Sequence, residues 1–368
     1  MIRLASVIAS FEADFLAQYR DRLTADHYRA LTALKQCRTQ ASLKMQVKCT
    51  GCEHQILVPH SCGHRHCPHC QHHESQQWLE RQIKKQVPAE YFLLTFTLPA
   101  EFRALAWAHQ KVLYELLMRC SWETVHTFAH NDGQLRGTPG AIAVLHTNTR
   151  RLDYHPHVHL VMPAAAVDDK RKQWRTKRRK AKAGYLFNHK ALAKVFRAKL
   201  LAGIEAAGLR LAARYPSQWV VDCKSVGSGE KALIYLGRYL YRGVIREQDI
   251  VAAHNGQVNF RYRNAKTGKM ECRTVSGAQF LWLILQHVLP KGFRRARNFG
   301  FLHPNRKRLI ALLHLLLKFV PAPVPTQLKE RPPIFCPCCG AVMMIVKTRV
   351  RSLFAGAMPD PIANQGVH

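Results

Sequence analysis

Hydrophobic and polar positions change period several times along the chain, and each change marks an element. Over residues 1–35, Phe11, Phe15, Tyr19 and Leu23 recur at helical spacing, which predicts one or two helices. Glu74–Gln86 repeats that spacing and stops before Pro88. The character then switches. Tyr91–Leu98 (YFLLTFTL) is aromatic and β-branched, closes at Pro99, and predicts a buried strand. Residues 101–130 predict helix. Ala141–Thr147 and His155–Met162 predict two strands of a hairpin that turns through the polar stretch Asn148–Asp153. Helical periodicity returns over 190–206 and 230–245, and residues 258–275 predict a β pair turning at Asn264–Gly268. Residues 277–320 predict helix, ending at the linker PAPVP (321–325).

These elements describe an α+β protein and a division of the chain. Helices and a cysteine-rich module occupy 1–87, and a mixed nuclease-sized domain occupies 88–275 with a basic segment at 168–190. A helical region covers 276–320, a Pro-rich linker 321–335, and a CPCCG knuckle with a loose tail 336–368. Charge sharpens the picture. There are 56 Lys+Arg against 23 Asp+Glu, a formal charge of +33 over 368 residues. Such an excess repels itself unless a polyanion offsets it, so nucleic acid is the expected partner and a purely metabolic role is disfavoured. Hydrophobic residues at 47% argue against wholesale disorder. No apolar run reaches the ~18 residues of a membrane span, and acidic Glu12 and Asp14 argue against a secretory leader. Residues 170–199 carry thirteen Lys/Arg and no acid. Of these, Lys170, Arg171, Lys172, Arg175, Lys177, Arg178, Arg179 and Lys180 are candidates to grip DNA phosphates; a solvated loop fits the same composition. Trp174 beside them is a candidate for stacking on unpaired bases.

Twelve cysteines, many in Cys-x-x-Cys pairs, indicate metal binding in a reducing cytoplasm. Cys49-Thr-Gly-Cys52 and Cys67-Pro-His-Cys70 stand fourteen residues apart, close to the spacing of four-thiolate zinc sites. The reading is a structural zinc ion held by Cys49, Cys52, Cys67 and Cys70. Cys37, Cys62, His64 and His66 are surplus to it, and Cys336, Cys338 and Cys339 form a late knuckle without an evident partner.

His155, His157 and His159 alternate with Pro156 and Val158, so on a strand the imidazoles share one face while Val158 and Leu160 point into a core. His157 and His159 can grip one divalent ion. A third ligand is His146, opposite 157 if the hairpin turns near 151–152, or else Glu247 or Gln248. In 230–245, Leu233, Leu236, Leu240 and Val244 make an apolar stripe; Tyr235, Arg238, Tyr239 and Arg242 make the opposite one. Arginines hold phosphodiesters and a phenol oxygen can attack phosphorus. Tyr241 points away, about 200° from Tyr239.

A His-hydrophobic-His strand followed by a Tyr-x-x-x-Tyr helix resembles the HUH endonuclease superfamily, and most closely its rolling-circle insertion-sequence transposases with two tyrosines. The resemblance runs through SCGHRHCPHCQ, Leu145-His-Thr147, HPHVH (155–159), YLGRYLYR (235–242), LPKGFRRARNFGFL (289–302) and CPCCG. It implies an antiparallel HUH sheet flanked by helices, a zinc-binding module before it and a helical region after it. It also implies Mg²⁺ or Mn²⁺ at the histidines and nicking of single-stranded element ends and target DNA through a 5′-phosphotyrosine. A bacterial, nucleoid-associated enzyme follows. A plasmid replication initiator or relaxase uses the same chemistry, but no GxxxxGK[ST] loop for an attached helicase is present. A non-catalytic zinc-containing DNA-binding protein is the remaining alternative.

Overall fold

The computed structural model describes residues 2–177, 186–241, 243–323 and 333–350. Arg178, Arg179, Lys180, Arg242 and the tail expected to be loose lie outside them. The helices are α1 Leu4–Tyr19, α2 Ala25–Gln36, α3 His72–Ile83, α4 Arg103–Ala108, α5 Gln110–Asn131, α6 His189–Ala206, α7 Glu230–Tyr241, α8 Gly277–Leu285 and α9 Lys307–Leu316. The first strands are β1 Lys44–Cys49, β2 Gln55–Pro59, β3 Tyr91–Thr97, β4 Thr138–Asn148, β5 Tyr154–Pro163, β6 Ala165–Asp168 and β7 Gln173–Thr176. They continue as β8 Val221–Ser225, β9 Ile250–His254, β10 Gln257–Arg263, β11 Met270–Ser276, β12 Ala296–Gly300, β13 Ile334–Phe335 and β14 Val342–Val350. The chain is a mixed α+β protein with antiparallel sheets, and no helix among the described residues is long and apolar enough to cross a membrane.

The chain divides into two compact units, and the division differs from the expected contiguous module over 1–87. The larger contains residues 1–35 and 64–327; the smaller is discontinuous, 36–63 with 328–368. Sequence adjacency hid this, because the smaller unit's sheet, ordered β13-β14-β1-β2, pairs segments nearly three hundred residues apart.

In the larger unit a seven-stranded sheet runs β7-β6-β4-β5-β3-β8, with β12 on β4. Alternation decides its two faces. Ala141, Ala143 and Leu145 of β4 with Val158, Leu160 and Met162 of β5 pack under α5 and α6, beside Leu113, Leu117, Leu192 and Phe196. Ile142 and Val144 with Val161 point the other way, toward Trp78 and Ile83 of α3, Leu233, Leu236 and Leu240 of α7, and Ile310 and Leu313 of α9. The expected stripe of α7 is therefore the one it buries, though the helix closes at Tyr241, before Val244. Its start is fixed by Gly229, whose φ of +80° suits glycine, and where a Cβ would lie 2.6 Å from the Tyr91 ring.

Two further expectations change. Residues 276–320 are not wholly helical: β12 pairs with β4 from Ala296↔Val144 to Gly300↔Gly140. Its RNFG sequence is short and polar, and only pairing with a sheet edge makes it a strand. The basic segment is partly structured as the β6–β7 hairpin, where Asp168 caps Lys170 N and Arg171 N at 3.2 and 3.1 Å. Trp174 packs edge-on against Phe301, ring centroids 5.4 Å apart, so it belongs to the core side of that hairpin.

Candidate metal and phosphotransfer site

The β4–β5 hairpin turns through residues 149–153 and pairs His146 with His157 and Val144 with His159. The three histidines therefore continue the face that Ile142, Val144 and Val161 bury under α7. Each offers one ligand atom, and these atoms all lie within 4.8 Å of one another. His146 is the third member, as the hairpin register suggests. Glu247 is not: its Oε1 accepts from Leu4 N at 2.7 Å and faces His69 Nε2 at 2.8 Å. His155 also falls outside the group, its Nδ1 lying 2.8 Å from Arg103 Nη2.

The imidazoles are presented in ligand form. His157 Nδ1 donates to the His155 carbonyl at 2.7 Å, which leaves Nε2 as the lone-pair nitrogen. His159 Nδ1 shares a 3.1 Å hydrogen bond with Thr95 Oγ1. His146 Nε2 is buried with no hydrogen-bond partner among the described residues, a costly arrangement unless something coordinates it. Burial, then the neighbouring imidazoles, pushes His146 well below its ordinary range and His157 down to about 3; burial alone takes His159 to about 4. All three are neutral at physiological pH, the state that binds metal.

α7 lays its tyrosines over this cluster. The Tyr239 ring stacks on His146, centroids 3.2 Å apart and 9° from parallel, and the Arg295 guanidinium lies over the same phenol ring, 4.5 Å from its centroid. Its hydroxyl donates to Asn148 Oδ1 and accepts from Thr147 N at 3.3 Å. Tyr235, one turn earlier, is half-exposed, with its ring 6.1 Å from His146 and 6.0 Å from His159. Partial burial and then Tyr239 raise its pKa, so its phenol carries its proton at neutral pH. Tyr241 turns away and packs beside the cluster of Trp78 and Leu79.

The tyrosines and His146 open into a cleft of about 550 Å³ whose wall also carries Arg150, Arg238, Arg246, Arg261, Arg263 and Arg295. Its one carboxylate, Asp249, is paired with Arg246 at 2.6 Å and Arg261 at 3.2 Å. The cleft is thus strongly cationic and suited to phosphates. Arg295, Asn148 and Arg150 were not singled out from sequence; Arg295 did stand in the GFRRARNFGFL block, and its Nε donates to the Leu145 carbonyl at 3.0 Å. In the basic segment, Arg171 and Arg175 face Asp168 at 3.2 and 3.5 Å and Lys177 pairs with Asp132 at 2.5 Å.

The expected grouping of Cys49, Cys52, Cys67 and Cys70 is corrected. Cys49 and Cys52 meet Cys336 and Cys339, while Cys67 and Cys70 belong to the larger unit. The late knuckle supplies the missing half, a pairing invisible to local spacing.

A mixed α+β fold thus brings a three-histidine cluster beside two phenols, a candidate metal-and-tyrosine site. Comparison with known proteins gives the family. A transposase zinc-binding domain model matches residues 7–98, and a putative transposase model matches residues 140–309. A putative transposase of Sinorhizobium fredii is 33% identical over 349 residues, covering 88% of this chain and 86% of its own. The transposase for insertion sequence element IS801 of Pseudomonas savastanoi pv. phaseolicola is 29% identical, covering 80% and 76%. The chain belongs to this family, the rolling-circle insertion-sequence transposases of IS91 type with an N-terminal zinc-binding module. DNA is accordingly its substrate, and the zinc-binding match together with the cysteine clusters gives it structural zinc. Among solved structures, the conjugative relaxase TrwC with a mutant OriT DNA aligns over 35% of this chain and 48% of its own, 19% identical, with a TM-score of 0.25. Its metal-free complex with OriT DNA aligns over 62% and 73%, 14% identical, with a TM-score of 0.25.

Proposed function

We propose that this transposase nicks and rejoins single-stranded DNA at element ends and targets through a 5′-phosphotyrosine, acting on nucleoid DNA in the bacterial cytoplasm. The observation that carries the reading is the placing of two phenols beside the neutral triad His146, His157 and His159 in an arginine-walled cleft, Tyr239 stacked on His146 and Tyr235 6.1 and 6.0 Å from His146 and His159.

Tyr235 is the first nucleophile. It is half-exposed, while the Tyr239 hydroxyl is held by Asn148 and Thr147. The Tyr235 oxygen–phosphorus bond forms as the phosphorus–O3′ bond breaks; the phenol proton is lost and the departing oxygen ends as a 3′-hydroxyl. One phosphodiester replaces another, so a later attack by that hydroxyl or another 3′-end needs no external energy. Tyr239 serves a second strand. Arg238, exposed on the same helix, holds the flanking phosphates; Arg242, assigned the same role from sequence, lies outside the described residues. Lys170, Arg171, Lys172, Arg175 and Lys177 add sequence-independent grip.

The unpartnered Nε2 of His146 and the convergence of three neutral imidazoles fit one divalent ion, which His146, His157 and His159 would hold; the family resemblance points to Mg²⁺ or Mn²⁺. When bound, it would neutralise charge developing on the scissile phosphate. The protein's own part is to hold the imidazoles neutral, orient the phenols and clamp the backbone.

The test incubates full-length protein with single-stranded DNA carrying an element end and Mn²⁺. A covalent adduct mapping to Tyr235 is expected, and Tyr235→Phe should abolish it. Tyr239→Phe should still nick but transfer poorly. An adduct on neither tyrosine would sink the proposal.

A further inference from the structure

The family's zinc-binding match stops at residue 98, and the transposase match spans 140–309, yet half of one cysteine cluster lies beyond both. We propose that Cys49, Cys52, Cys336 and Cys339 hold a zinc ion that closes the smaller unit from its two distant segments.

The argument begins with sulfur geometry. A tetrahedral ion with Zn–S bonds of about 2.3 Å has sulfur–sulfur edges of about 3.8 Å. Here Cys49 and Cys339 are 3.4 Å apart, and Cys52 lies 3.7 Å from both Cys336 and Cys339. A disulfide would need about 2.05 Å. Both knuckles are shaped for the task. Gly51 N donates to Cys49 Sγ at 3.2 Å, and Gly340 N reaches back to the Cys336 carbonyl at 2.9 Å with a φ of +71°. Cys338, between the second pair of ligands, is exposed and outside the cluster.

The rest of the smaller unit supplies little else to hold it. Among the described residues its buried cluster consists of Val47, Cys49, Cys336 and Met343, with Met45, Cys52, Ile56, Val58, Ile334 and Ala341 only partly buried against it, so two of four buried members are themselves ligands. β1 pairs with β14 from Cys49↔Met343 to Lys44↔Val350, and Thr50 N and Oγ1 both donate to the Val342 carbonyl. Those bonds need the two segments brought together first, and a core this small does not offset the ordering entropy. Four thiolates on one ion do so, which couples the fold of this unit to metal.

Cys338 and Cys339 provide the test, since both are exposed and only one is a proposed ligand. Full-length protein as purified is alkylated with iodoacetamide and mapped by mass spectrometry, with zinc counted by elemental analysis. Cys338 should label quickly and Cys339 should be protected along with Cys49, Cys52 and Cys336. A chelator should release zinc and make all four label together. Cys336→Ser with Cys339→Ser should lower the zinc content by one equivalent per chain; if that variant fails to fold, labelling of the unmutated chain decides alone. Cys339 labelling as fast as Cys338 in zinc-loaded protein, or protection that survives the chelator, overturns the proposal.

Discussion

In the larger unit, His146, His157 and His159 stand at the end of a core face already filled by Ile142, Val144, Val161 and the apolar stripe of α7. In the smaller unit, the cysteines are themselves half of the buried cluster. On the proposed readings, one region presents its donors to a cleft at the end of a filled core face, while in the other the donors make up a large share of a small core. The same distinction separates open catalytic sites from closed structural ones. It means that removing donors should cost chemistry in one unit and structure in the other.

The largest effect is on activity. His157→Ala with His159→Ala removes two of three donors, and several kcal/mol of transition-state stabilisation lost corresponds to a drop in cleavage of about 10³-fold or more. DNA binding should stay within a few fold, because phosphate contacts dominate affinity. The larger unit should keep a cooperative melt. Cleavage at the normal rate would make the histidine face structural and erase the contrast. Next comes Cys49→Ser with Cys52→Ser. Hydrogen exchange should then rise across β1, β2 and β14 while β4 and β5 remain protected. Equal loss of protection in both sheets would mean that the two units do not fold on separate principles.

This contrast also explains what the sequence could reveal. The hairpin of β4 and β5 is local, so alternation and a polar turn were enough to place His146 opposite His157. The face of α7 is local too, and the i, i+3, i+4 rule separated Tyr235 and Tyr239 from Tyr241. By contrast, nothing in the spacing of Cys49 and Cys52 indicates Cys336 and Cys339 as partners rather than the nearer Cys67 and Cys70. Arg295 and β12 were missed for the same reason. Their roles arise from pairing with β4, about 150 residues earlier, while RNFG alone carries no strand signal.

Acid provides a finer probe of the larger unit. His287 is fully buried, and its Nε2 donates to the Leu152 carbonyl at 2.9 Å. Burial, reinforced by Arg295 and opposed by the Leu152 hydrogen bond and Asp153, brings its pKa down from 6.5 to about 4. The native imidazole thus refuses a proton that the unfolded chain accepts between pH 6.5 and 4. Its effect is absent above pH 6.5, and stability falls as pH drops through that window, by at most about 1.4 kcal/mol per unit from this group. His287→Gln keeps a donor for Leu152 but does not titrate. Thermal melts from pH 7.5 to 4 should show a shallower acid slope for the variant, alongside some loss of stability at pH 7.5. An unchanged slope would assign the acid sensitivity to other groups.

The smallest expected effect is the control on the face of α7. Tyr241 lies two residues beyond Tyr239, half-buried beside Trp78 and Leu79, with Arg81 and Glu74 as its charged neighbours. Burial raises its pKa, and among the described residues the three-histidine cluster lies beside Tyr235 and Tyr239, not beside Tyr241. Tyr241→Phe removes one hydroxyl and keeps the ring that packs. Stability should change by no more than about 0.5 kcal/mol, and nicking and strand transfer should match the unmutated protein. The measurement is the same DNA–peptide mapping used for Tyr235. Its value lies in sharing chemistry and helix with the proposed nucleophiles while differing in orientation. An adduct on Tyr241, or a defect in transfer when its hydroxyl is removed, would show that the wrong side of α7 had been assigned to the DNA.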